Sequence, residues 1–338
     1  MKKFILVSAI ILLLLSGLAL GYYYFGNNPA KPADSQSEPS NKQLLAEAVV
    51  DAVPSFNGER LWFVTKEGRM FQTSITGGER EEFIFPGKIE NPQNVLWQEK
   101  GSDLIIAQNI AGHTRYKYFN AKAKTLSEYS ENVRAPAILA GDTKLVYDWV
   151  ASSATSTSHT LKVADLDTKN FVTIGDLFRD DYEIAASPRK QELVLFSPDR
   201  DASLVHVDLL SSQFTDLAES GNYQSVRFSP DGSKLLVREF RQGINAIWIY
   251  DFSLKQMTEL NIGEPGLSLW TRDSLGVIFA RDGLLKEIDL RTDLIKDWGM
   301  FPAGEIKSAF LHPFRDILFY IDAQGKLYAI SLSDFGEG

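Results

Sequence analysis

Seven repeats of about 40 residues, each made of short apolar runs between polar turns, predict an all-β fold: a seven-bladed β-propeller with four strands per blade. The first observation is spacing. The leading apolar residue after a polar turn falls at Leu61, Leu104, Leu145, Leu193, Leu235, Val277 and Ile317, at intervals of 40 to 48 residues. The second is a partner seven residues earlier, at Trp97, Ile138, Ala186, Phe228, Trp270 and Phe310, whereas the first repeat offers Phe56 only five residues before Leu61. The third is that no stretch after residue 50 carries a helical stripe.

Within each repeat the runs are of strand length. The fifth reads QSVRFS, KLLVREF, AIWIYDF and KQMTEL, four to seven residues each and rich in Val, Ile, Leu, Phe and Tyr. LVLFS and SLVHVDL in the fourth and VIFA and LKEIDL in the sixth follow it. Asp282-Gly283 is a two-residue hairpin turn of the kind that needs positive φ. In FSPDGSKLLV, Pro230 and Asp231 preset a turn, Gly232 tolerates the left-handed geometry, and Phe228 and Leu235 are expected to pack between blades. Asp165, Asp208, Asp251 and Asp289 each close the third strand of a repeat. On four different blades they are too far apart to share an ion, so they are expected to cap turns. The last repeat stops after its third strand, in LYAISLSDFGEG, and would leave an open edge. Part of KQLLAEAVV (Lys42 to Val50) is expected to supply the missing outer strand and close the ring.

Ahead of the repeats, Lys2 and Lys3 precede an uncharged apolar run from Phe4 to Phe25 that ends in Tyr22, Tyr23 and Tyr24. At about 1.5 Å per residue this run spans a hydrocarbon core roughly 30 Å thick, with the lysines favouring a cytoplasmic N-terminus. Residues 1–26 are therefore expected to be a transmembrane signal anchor, 27–42 a disordered linker rich in Pro and Ser, and 43–338 the propeller, outside the cytoplasm. The rival reading is a cleaved signal peptide with Gly17-Leu18-Ala19 at its cleavage site; both readings export the domain.

The FSPDGSKLLV motif, with weaker echoes at ASPRKQELVLF (Ala186 to Phe196) and FLHPFRDILFY (Phe310 to Tyr320), resembles the repeat of TolB-type propellers, found also in the propeller domains of dipeptidyl peptidase IV-like enzymes. The likeness covers about residues 48–338 and is close only in the fifth repeat. It implies the fold and leaves activity open, since the G-x-S-x-G elbow of those peptidases is not in the sequence.

Composition narrows the function. The chain carries −9, and −11 once Lys2 and Lys3 are set aside, with no basic cluster, which argues against nucleic acid and anionic headgroups as partners. There is no cysteine, so thiolate chemistry, disulfides and lipid attachment at cysteine are excluded. The histidines, His113, His159, His206 and His312, follow no metal-ligand spacing, no phosphate-binding Gly-rich loop is found, and no cofactor is expected. The inner strands are read as carrying Arg227, Arg272, Asp273, Lys307 and His312, a mixture without an acid/base pair. Loops on a rigid scaffold remain: NIAGHTR (Asn109 to Arg115), WVASSATSTSHT (Trp149 to Thr160) and EFRQGIN (Glu239 to Asn245), all expected on the face shared with the connections between blades. The candidate binding residues are thus His113, Arg115, Trp149, His159, Phe240 and Arg241. The expectation is a monomeric, membrane-tethered, non-catalytic module that binds a protein, peptide or envelope polymer. The alternative is an extracytoplasmic hydrolase or lyase working in the central channel.

Overall fold

A computed structural model describes residues 42–98, 103–141, 143–301 and 305–333. The anchor expected at residues 1–26, and the linker up to residue 41, lie outside the described residues. Among those described, no helix is long and apolar enough to cross a membrane.

The strands form seven antiparallel sheets of four. After β1 (Lys42–Gln43), blade one holds β2 to β5 (Val49–Pro54, Arg60–Thr65, Met70–Ser74, Arg80–Phe83) and blade two β6 to β9 (Pro92–Trp97, Leu104–Ile110, His113–Asn120, Thr125–Glu128). Blade three holds β10 to β13 (Val133–Ile138, Lys144–Ser152, Thr157–Asp165, Val172–Leu177) and blade four β14 to β17 (Glu183–Ala186, Glu192–Phe196, Ala202–Asp208, Gln213–Gly221). Blade five holds β18 to β21 (Tyr223–Phe228, Lys234–Arg241, Ile244–Asp251, Gln256–Leu260) and blade six β22 to β25 (Leu267–Trp270, Gly276–Arg281, Leu284–Asp289, Ile295–Met300). Blade seven is β26 to β28 (Ile306–Leu311, Ile317–Asp322, Leu327–Ser331) with β1 added at its outer edge.

The expected closure is therefore present. Lys42 faces Ala329 and Gln43 faces Tyr328, and the Leu44 amide donates to the Leu327 carbonyl at 2.9 Å. Leu44 and Leu45 then turn inward and are buried with Phe63, Phe71, Phe319 and Leu327 between blades one and seven. Six further apolar clusters fill the remaining interfaces between neighbouring blades. One cluster lies in every interface of a ring of seven.

The seven-residue offset read in the sequence is the register of the inner hairpin. Trp97 pairs with Leu104, Ile138 with Leu145, Ala186 with Leu193, Phe228 with Leu235 and Trp270 with Val277. Two positions need correction. In blade one the partner of Leu61 is Pro54, seven residues back, and Phe56 lies exposed in the turn. In blade seven the equivalent pair is Leu311 with Leu318, one residue later than the expected Phe310 and Ile317.

The turns follow the expected chemistry. The Ser229 amide donates to the Lys234 carbonyl at 2.9 Å, and the Ser229 hydroxyl accepts from the Lys234 amide at 3.0 Å while donating to Asp231 at 2.6 Å. Gly232 has φ 72°, and a Cβ there would lie 3.0 Å from the Ser187 hydroxyl of the neighbouring blade. At the Asp282-Gly283 turn φ is 52° and 72°, as a type I′ hairpin requires. Asp208 accepts from the Leu210 amide, Asp251 from those of Ser253 and Leu254, and Asp289 from that of Arg291, so these carboxylates cap turns. Asp165 instead receives Lys144 and Asn170 side chains.

The ring has two faces. One carries the hairpins between second and third strands together with the connections between blades; we call it the hairpin face. The other, the turn face, carries the first and last turns of each blade. β1 runs antiparallel to β28, away from the turn face and toward the hairpin face.

Candidate functional site on the hairpin face

The longest hairpin is in blade three. The stretch read as a loop from Trp149 to Thr160 is almost wholly strand: β11 and β12 pair continuously from Lys144 with Asp165 to Ser152 with Thr157, leaving only 153–156 as the turn. Thr and Ser on both sides of an exposed hairpin tip look like a loop in sequence, yet Thr is a good strand former. This ladder decides where the candidate residues point. Side chains alternate, so Asp148 and Val150 face blade four while Tyr147 and Trp149 face blade two. Trp149 packs against the cluster containing Ile105, Tyr118 and Tyr147, with the Lys162 ammonium 4.3 Å from its ring centre. It is half-buried in an interface, not displayed on a loop.

On the opposite side of the same strand, Asp148 lies across from Leu161 and diagonal to His159. His159 Nδ1–H donates to Asp148 Oδ2 at 2.6 Å, with exposures of only 8% and 4% for the two residues. Burial pushes the Asp148 carboxyl up, and the His159 hydrogen bond pulls it back down. Asp148 Oδ1 has no hydrogen-bond partner.

This pair sits under two joined clefts. The first, about 770 Å³, lies over blades two to four and is lined by His113, Arg115, Glu131, Arg134, Asp148 and Ser152, with Asp181, Glu183 and Asp199 on its far wall. The second, about 850 Å³, is lined by His159, Thr160, Phe178 and Arg179, and shares Arg134, Val150, Ser152 and Asp180 with the first. The walls are held by ion pairs. Arg115 donates to Glu131 at 2.8 Å, and Arg179 forks onto Asp181 at 2.9 and 3.0 Å. The Arg179 fork, helped by a 2.6 Å bond from the Ser197 hydroxyl, holds the Asp181 carboxyl down to about 2. Glu183 is shifted the other way, chiefly by burial and then by Asp199. Phe178 stands at the rim, 92% exposed.

The structure thus brings His113, Arg115 and His159 into one depression and leaves the other candidates elsewhere. Phe240 and Arg241, at the end of β19, line a separate cleft of about 390 Å³ with Glu219, Tyr223 and Trp248. Arg134, Asp148, Asp181 and Phe178 were not singled out in the sequence. Asp148 and His159 become visible as a pair only once the hairpin is read as a ladder.

The inner-strand inventory also needs correction. Arg227 and Lys307 do line a pocket at the channel. Arg272, Asp273 and His312 lie instead in inner turns, on the turn face. The Arg272 guanidinium bonds the Asp316 carboxylate, Asp273 accepts from the Thr271 hydroxyl at 2.6 Å, and His312 Nε2–H donates across the blade seven to blade one interface to the Gly58 carbonyl at 2.6 Å.

No family model and no curated protein matches the chain. Solved structures do resemble it. An oligogalacturonate lyase from Vibrio parahaemolyticus superposes with a TM-score of 0.64 at 11% identity, over 84% of this chain and 89% of that one. The Cps50 (Swd1) β-propeller domain from Myceliophteria thermophila gives a TM-score of 0.60 at 12% identity, over 86% of this chain and 99% of that one. At such identities the likeness speaks for the fold alone, and the chain is a seven-bladed β-propeller.

Proposed function

We propose that this chain is an extracytoplasmic propeller, held at a membrane through residues 1–26, that binds a protein, peptide or envelope polymer without transforming it. The observation that carries this reading is the pair of joined clefts on the hairpin face, framed by loops and strand ends of blades two to four on a rigid ring. Their lining mixes Arg115, Arg134 and Arg179 with a larger number of carboxylates. Such a surface fits an uncharged or basic, hydrogen-bonding partner and, with the net charge of −9, disfavours nucleic acid. The direction of β1 agrees, because the chain enters the ring from the side opposite to the clefts. The TolB-like turn of blade five belongs to the same reading.

A second reading is favoured by one observation, the buried Asp148–His159 pair beside the clefts. A carboxylate that holds an imidazole is the arrangement of a general base. The structural likeness to an oligogalacturonate lyase makes an acidic oligosaccharide the first substrate to try.

The test is a photo-crosslinking residue placed at Ser152, in the clefts, or at Leu294, exposed on the turn face, in the full chain within its native membranes. The binding reading expects an adduct of defined mass from Ser152 and none from Leu294. No adduct, or equal adducts from both, overturns it. Turnover of oligogalacturonate that is abolished by His159→Ala would establish the second reading instead.

A further inference from the structure

The channel pocket between blades five, six and seven is chemically unlike the clefts. It measures about 240 Å³ and is lined by Arg227, Arg238 and Lys307 together with Ser225, Ser268 and Ser308. No carboxylate is among its lining residues. In a chain of net charge −9 this is a local concentration of cations.

The ladder explains how they converge. Ser225 faces Arg238 across β18 and β19, and Arg227 lies two residues beyond Ser225 on the same side of the sheet. The two guanidinium groups are therefore diagonal neighbours. Blade six leaves the space open, since a Cβ on Gly266 would meet nothing nearer than the Ala280 carbonyl at 4.0 Å. Lys307 enters from β26, with its ammonium donating to the Val50 carbonyl at 2.8 Å.

Like charges gathered in a confined space need compensation. The Arg227 guanidinium has no hydrogen bond or ion pair among the described residues, and its side chain stands exposed on the channel wall. Arg238 donates one bond, to the Pro265 carbonyl at 3.2 Å, and its Nε is a buried donor without an acceptor. The Ser308 hydroxyl is likewise buried and unpaired. Nearby carboxylates offset only part of this, Glu264 acting on Arg238 and Asp51 on Lys307. The donors turned to the pocket comprise the exposed Arg227 guanidinium and two buried unpaired groups, the Arg238 Nε and the Ser308 hydroxyl. All of them can donate to an acceptor-only ligand, and none needs a cation.

We propose that this pocket is an oxyanion site, which seats a compact phosphate- or carboxylate-bearing anion between Arg227, Arg238 and Lys307. Arginine forks suit either group, because both present two oxygens at the spacing of the guanidinium N–H bonds. The site is independent of the clefts and of what they bind.

Calorimetric titration of the full chain at low salt with inorganic pyrophosphate, and separately with citrate, tests it. Saturable binding of at least one probe is expected, and which one binds identifies the phosphate or the carboxylate chemistry. Arg227→Gln should weaken that binding by about tenfold or more, Lys307→Gln should weaken it too, and Arg69→Gln, in a surface ion pair, should leave it unchanged. The proposal is overturned if neither probe saturates or if Arg227→Gln binds as well as the unaltered chain.

Discussion

Individual residues in this ring are shaped mostly by where burial leaves them, and Asp51 shows this with a sign that can be measured. It lies on the inner strand of blade one, accepts from the Ala52 amide at 2.9 Å and from the Trp97 indole at 3.3 Å, and burial pushes its carboxyl up to about 6. The ordinary carboxylate value is 3.8, so the folded state holds the proton more tightly than the unfolded chain does. This group therefore favours folding most below about pH 4, and its contribution falls away as pH rises through about 6. Asp51→Asn keeps the acceptor and removes the titration. The expected outcome is that denaturant midpoints of the two proteins lie closest together near about pH 4 and diverge in favour of the variant by about pH 7.5. A difference independent of pH would show that Asp51 ionises freely in the fold.

At the scale of elements, turns were legible in the sequence and registers were less so. Pro230-Asp231-Gly232 and Asp282-Gly283 can form only a few backbone shapes, and both adopt the expected one. The second strand of each blade is packed on both sides. In blade four, Leu193 and Leu195 face blade three while Val194 and Phe196 face blade five. All four positions are apolar, the alternation that would fix the register is lost, and a slip by one residue costs nothing in the pattern. In blade seven, Ile317 to Ile321 are all buried, which is why the expected pair there was one residue early. The clefts were not legible, because they arise between blades from residues distant in sequence. The blade three hairpin yields a prediction at this scale. Trp149 is half-buried against the interface with blade two, so Trp149→Ala should destabilise the protein by about 2 kcal/mol, less than a fully buried large-to-small substitution costs. A loop tip would lose almost nothing. Denaturant unfolding distinguishes the two outcomes.

For the molecule as a whole, the two ends of the propeller meet in one blade. Blade seven takes three strands from the C-terminal end of the chain and its fourth from residues 42 and 43, and the ring that results is the frame on which both the clefts and the channel pocket depend. The unfinished last repeat made this closure readable in the sequence, although the paired segment is shorter than expected: only two residues form the ladder, and Leu44 and Leu45 anchor it by burial instead. Closure at this seam is the central structural claim, and equilibrium unfolding of the full chain beside the double variant Leu44→Ala, Leu45→Ala tests it most directly. With both side chains buried between blades one and seven, the variant should lose about 4 kcal/mol or more. Unfolding of both proteins at the same denaturant concentration would contradict it and leave the ring unsealed at that seam.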